Sequence, residues 1–209
     1  MKTSIQSCSV SLRDILRRSL QSDPDLDAFF DPGQGGNMVV SLLNPQELVA
    51  ADTEGVSLWL YRVQRDEQTL NHPPRRVTAS LRESIPLPLR LHYLVAPIVS
   101  HASQAQASEL EQHILGKVLQ VFHDLGSMRG PTLQGDLTGQ PIEIFARLEP
   151  LTLEETTRVW DALDTSFQLC VSYEVSVIPI ASGLAPILQP PVDSAALEFG
   201  AARPIEAAP

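Results

Sequence analysis

A chain of 209 residues suffices for one domain of ordinary size that buries its own core, without the metals or disulfides shorter chains need. Its 15 basic and 25 acidic side chains leave a formal charge of -10, which excludes an overall phosphate-neutralising surface and argues against nucleic acid as a partner. Cys8 and Cys170 each sit in an apolar periodic segment and read as reduced core thiols. The start lacks a signal-peptide pattern and no apolar run approaches the roughly 20 residues that span a bilayer, so synthesis and folding in the cytoplasm are expected.

Taken in chain order, Ile5 to Leu20 places Leu12, Ile15, Leu16 and Leu20 on one stripe, with Arg13, Arg17 and Arg18 largely outside it, which predicts an amphipathic opening helix. The Ser-Asp-Pro-Asp run from Ser22 ends it. After a glycine-rich loop, Gly33 to Gly36, the runs Met38 to Leu43 and Val56 to Val63 predict strands, the second rich in β-formers around Trp59 and Tyr61. Asn71 to Ser84 is polar and basic and reads as a long excursion between sheet strands. Leu89, Leu91, Tyr93 and Val95 then alternate with Arg90, His92 and Leu94 in a further strand that runs to Pro97.

From Ser108 the apolar period lengthens: Leu110, Ile114, Val118, Val121, Phe122 and Leu125 predict a long helix ending near Gly126, with Ser108 and Glu111 as a capping box. Ile142, Ile144, Ala146 and Leu148 alternate with Glu143, Phe145 and Arg147, a half-buried strand. Thr152 and Glu155 form a second capping box for a helix carrying Leu153, Val159, Trp160 and Leu163. In the last strand Val171, Tyr173, Val175 and Val177 face one way and Ser172, Glu174 and Ser176 the other. Residues 181–209, with Pro186, Pro190, Pro191 and Pro204, have neither period and read as an acidic Pro/Ala-rich tail, ordered only where a neighbouring subunit holds it. The expected organisation is one α+β domain over residues 1–180, with a mixed or antiparallel sheet and helices mainly on one face, followed by that tail.

The chemical motifs fail at their second or third requirement. Asp23, Asp25 and Asp27 match the start of a calcium loop, but Ala28 stands where glycine is needed and Gln34 where a bidentate glutamate is needed. Gly116-Lys117 ends like a phosphate loop, but Glu111 and Val118 replace its other glycine and its hydroxyl. Gly116 therefore reads as a mid-helix glycine allowing close packing. Neither a Gly-x-Ser-x-Gly elbow nor a His-Glu-x-x-His pair occurs; His92, His113 and His123 are scattered, and Trp59 and Trp160 read as core. The expectation is a non-enzyme with no catalytic residues, cofactor, metal or small-molecule substrate; an enzyme with an unrecognised site is the competing class, which turnover by the purified chain would reveal.

Three blocks carry a family likeness. They are Leu58 to Val63 with Asn71; Pro86 to Leu89 leading through Leu91 to Leu94 and Pro97; and Leu151 to Leu163 followed by Val171 to Val175 and Pro179. With the helix Leu115 to Asp124, they resemble the N-terminal domain of the cap, or tube-terminator, proteins of contractile injection systems, over roughly residues 8–180. The resemblance implies a fold like phage tail terminators and a homohexameric ring that closes the inner tube and contacts the sheath of a phage-tail-like particle. That particle would be assembled in the cytoplasm and then stay there, be anchored to a membrane or be released. A tail-completion or sheath-terminator protein of a contractile bacteriophage is the alternative. Candidate contact residues are Asn37 near the glycine-rich loop, Arg62, Arg65, Arg75 and Arg76 of a basic loop, and Asn71. The uneven charge, 10 basic and 11 acidic side chains in residues 1–100 against 5 and 14 in residues 101–209, is compatible with two differently biased faces in a head-to-tail ring.

Overall fold

The computed structural model describes residues 2–69, 73, 76–78, 80–100 and 104–188, and they fall into two compact units. The first, drawn from residues before His72 and between Pro86 and Ser182, is the larger. It holds a six-stranded sheet in the order β1 (Val39–Ser41), β2 (Gly55–Arg65), β4 (Leu87–Ile98), β7 (Val171–Ile180), β6 (Glu143–Glu149), β5 (Met128–Arg129). Only β1 with β2 is parallel; every other pairing in this sheet is antiparallel. The second unit includes β3 (Leu81–Arg82), which pairs with β8 (Ile187–Leu188). The α+β class and mixed sheet expected from the periodicity are borne out.

Two long helices cover one face of the sheet. Leu12, Leu16 and Leu20 of α1 (Ser4–Gln21) and Ile114, Val118 and Phe122 of α4 (Gln104–Leu125) close over Leu91, Tyr93, Val95, Tyr173 and Val175. Burying each such side chain contributes about 1.5–3 kcal/mol, so this layer dominates the stability of the unit. α1 also docks a loop through its serines: Ser7 Oγ accepts from Asp136 N (3.1 Å) and Ser11 Oγ from Gln134 N (2.9 Å). Among the described residues of this unit, two shorter helices pack on one end of the opposite face. There Leu48 of α3 (Pro45–Ala50) and Trp160 of α5 (Leu153–Asp161), with Leu163 just beyond it, pack on Leu94, Ala96 and Ile98. Trp160 is thus core, as read from the sequence.

Several boundaries differ from expectation. α4 starts at Gln104, so Ser108 lies inside the helix and not at its cap; the intervening Gln and Ala residues favour helix and carry it past the serine. Thr152 and Glu155 do form the expected capping box on α5. A second box, Asn44 with Glu47, starts α3, a helix the periodicity did not indicate because six residues hold under two turns. The strand expected over Met38 to Leu43 shortens to three residues. Gly116 sits exposed on α4 with open space where a Cβ would go, so close packing does not explain it.

A bulge fixes the sides of β2. Leu60 pairs with Tyr93 and Arg62 with His92, leaving Tyr61 as an extra residue. Tyr61 turns to the face of Arg62, where its hydroxyl meets Ser172 Oγ at 3.1 Å.

Candidate interaction surface

Beyond the end covered by α3 and α5, the second face of the sheet is a polar floor assembled from four strands. Its centre is Glu149, at the end of β6. The Glu149 carboxylate accepts from Ser172 Oγ at 2.8 Å, from Tyr61 Oη at 3.3 Å and from His92 Nδ1 at 3.1 Å. Burial alone would push the Glu149 carboxyl up, but the hydrogen bonds from His92, Ser172 and Tyr61 outweigh it and the net direction is down. His92 Nε2 meets the Gln64 side chain at 2.9 Å, and the amide orientation that gives a hydrogen to His92 also lets the Gln64 oxygen accept from Arg62 Nε at 3.1 Å. A chain of hydrogen bonds therefore runs from Arg62 through Gln64 and His92 to Glu149.

A second knot lies beside it. Arg90 on β4 bridges Asp66 (Nε to Oδ1, 2.6 Å) and Glu174 (Nη1 to Oε1, 2.9 Å). Asp66 also accepts from Thr69 Oγ1 at 2.6 Å and Thr69 N at 3.1 Å. The Thr69 hydroxyl first, then Arg90, outweigh the cost of burial and hold the Asp66 carboxyl below the usual carboxylate range. The sign follows: a depressed folded pKa stabilises fully above the unfolded value of about 4 and is lost as pH falls below it. Glu111, which burial pushes up, acts in the opposite direction. We expect denaturant titrations to show Asp66→Asn less stable than the parent near neutrality but losing less on going from about pH 5 to about pH 3, the range that brackets the unfolded carboxylate pKa. Parallel acid losses in the two chains would refute the role given to Asp66.

Serine, histidine and glutamate in one cluster invite comparison with a hydrolytic relay, which needs the hydroxyl on the imidazole and the carboxylate behind it. Here His92 and Ser172 both serve the same carboxylate, and the far imidazole nitrogen is taken by Gln64. Both residues are buried, so the cluster orders the sheet face. Elsewhere Asp23, Asp25 and His113 bring ligand atoms within 4.8 Å of one another. Lys117 Nζ already sits 2.8 Å from Asp23, and Asp27 opens α2 (Asp27–Phe30), so the carboxylate series of the sequence is not a loop around an ion.

The residues singled out from the sequence come from different elements. Arg62 and Arg65 are strand residues, not loop residues, and their partners His92 and Leu89 put them on opposite faces of β2. Asn37 is exposed just before β1, and Arg76, exposed in the second unit, forms an isolated bridge with Arg82. Asn71 and Arg75 lie outside the described residues. Sequence reasoning missed Glu149 and His92 as partners, since 57 positions separate them. The signal within reach was the polar residues Arg90, His92, Ser172 and Glu174 inside otherwise apolar strands.

On the helix-covered face a groove of about 610 Å³ opens between α4 and β6. Phe122 and Tyr173, ring centroids 4.7 Å apart, floor it, and Leu119 and Leu148 line it.

Comparison with known proteins follows the same architecture. No curated protein sequence matches the chain. Among solved structures, the sheath/tube terminator of an extracellular contractile injection system, PVC, in its extended state superimposes with a TM-score of 0.60 at 16% identity, covering 96% of this chain and 65% of that one. The tube-terminating cap of the anti-feeding prophage gives a TM-score of 0.52 at 16% identity, covering 91% of this chain and 61% of that one. The chain thus spans less than two thirds of either, and at this identity the likeness is one of fold. The model of the Pvc16 N-terminal domain matches residues 8–194, and the chain belongs to that family.

Proposed function

We propose that the chain is a structural cap subunit that closes the distal end of the inner tube and sheath of a contractile injection particle, assembled in the cytoplasm as a homohexameric ring. The observation that carries this reading is the fold likeness of 96% of the chain to a sheath/tube terminator. The family match over residues 8–194 supports it independently. A terminator needs one surface complementary to the last tube layer and another that offers no further site, and a head-to-tail contact that closes on itself forms the ring that carries both. A difference between the two sheet faces supports the reading: α1 and α4 cover one, and the other is, among the described residues, a polar floor with α3 and α5 at one end. On this reading Arg62 at the floor's margin, with Asn37, Arg65, Asn71, Arg75 and Arg76, is available for contacts with tube, sheath or the neighbouring copy.

Electron microscopy of particles assembled with and without the chain tests the proposal. We expect a six-fold ring at one tube end, and tubes of uncontrolled length when the chain is missing. Tubes of normal length with an unchanged end would overturn it.

A further inference from the structure

We propose that the groove between α4 and β6 is a strand-addition site that receives residues 192–201 of a second copy of this chain. The inference rests on the ring reading above and specifies where one copy grips the next.

Among the described residues, the edge of the sheet is open there. β5 pairs only with Glu143 and Ile144, so among the described residues Ala146 to Glu149 have no strand on their outer side. Outward backbone amides and carbonyls of such an edge invite a further strand unless proline, a bulge or charge blunts it. β6 contains no proline, its register with β7 is unbroken, and Arg147 is its only basic residue. Leu148 stands 55% exposed beside that edge. An extended segment lying between an edge strand and a helix gains main-chain hydrogen bonds along the strand and seats alternate side chains in the groove.

The two sides of β6 specify the occupant. Ala146 and Leu148 face the groove, which asks for apolar side chains at every second position. Phe145 and Arg147 face the other way, with the guanidinium 5.7 Å from the Phe145 ring, which asks for an acid between them. Residues 192–201 read Val-Asp-Ser-Ala-Ala-Leu-Glu-Phe-Gly-Ala: Leu197 and Phe199 alternate around Glu198. Laid along β6, Leu197 and Phe199 enter the groove beside Leu119 and Phe122, while Glu198 meets Arg147. The segment lies beyond Leu188, and ten extended residues reach roughly 33 Å, about the width of a small domain. In a closed head-to-tail ring each copy donates one such segment and accepts another.

Mixing full-length Leu148→Cys with full-length Leu197→Cys and adding a short bismaleimide tests this, with the unsubstituted chain as the blank for Cys8 and Cys170. We expect a covalent dimer, absent when Leu153→Cys, 73% exposed on α5, replaces Leu148→Cys. Leu148→Asp in the full chain should weaken self-association at least about tenfold with an unchanged circular dichroism spectrum, since one buried apolar contact is worth a factor of that order. No dimer, equal yield with the Leu153→Cys control, or cross-linking only within a single doubly substituted chain would overturn the inference. A ring that forms without this cross-link leaves the cap reading standing and sinks this one; cross-linked copies that never occupy a tube end do the reverse.

Discussion

Replacing Glu149 with alanine will lower the unfolding free energy by about 2–3 kcal/mol, or roughly 5–10 °C in Tm for a domain of this size. The reason is convergence. Three donors, from Tyr61, His92 and Ser172, end on this one carboxylate, and His92 and Ser172 are 2% and 4% exposed. The Tyr61 and Ser172 hydroxyls, 3.1 Å apart, can still pair with each other, but His92 Nδ1 and one hydroxyl hydrogen lose their acceptor, and each such buried donor costs its desolvation. Glu149→Gln keeps one acceptor oxygen but turns an amide nitrogen toward the other donors, so its loss will be smaller, about 1 kcal/mol. A Glu149→Ala chain melting within about 1 °C of the parent, where the rule gives several degrees, would show that the knot carries no net stability.

The second large effect is local to β1. Gly55 holds φ at +135°, and a Cβ there would lie 2.0 Å from the Val39 carbonyl oxygen and 2.6 Å from its nitrogen. Both atoms are backbone, so nothing short of separating the strands relieves the clash. Gly55→Ala is therefore expected to cost about 3 kcal/mol or more, through strain and forced displacement together. β1 meets β2 over only three residue pairs, so the strand should detach before the domain unfolds. Hydrogen exchange will show the amides of Val39 to Ser41 losing protection while those of β4 and β7 keep theirs. Unchanged protection at Val39 to Ser41, or a loss below about 0.5 kcal/mol as for an ordinary surface change, would contradict this.

Much of the fold was legible because its long elements keep one period. The stripe Leu12, Ile15, Leu16, Leu20 and the alternation of Val171, Tyr173 and Val175 each identify an element and its buried side without reference to any other, but the second breaks before Val177, where a register shift gives the core position to Ile178. What stayed hidden depends on partners distant in the chain. α3 has a sequence signature, Asn44 with Glu47, but too few turns for a stripe to emerge. β3 and β8 are two residues each and mean nothing until they meet. The polar floor was invisible for the same reason: Arg90 reads as a strand charge until Asp66 and Glu174 arrive on either side. The resemblance named the family correctly, yet it could not place contact residues, and Arg62 and Arg65 proved to occupy opposite faces.

The extra residue at Tyr61 has a consequence for every comparison of this chain with a relative. Before it, odd-numbered Trp59 shares the second face; after it, even-numbered Arg62 and Gln64 share that same face. The bulge thus inverts the parity of the strand, and the apolar and polar halves of one surface are written in two different frames. Deleting that single position would leave Arg62 and Val63 on their present sides, whereas keeping it in a strand without the bulge would send Arg62 toward the α1 and α4 core and Val63 toward the His92 network. An alignment that closes a gap there would exchange inside for outside along the rest of β2.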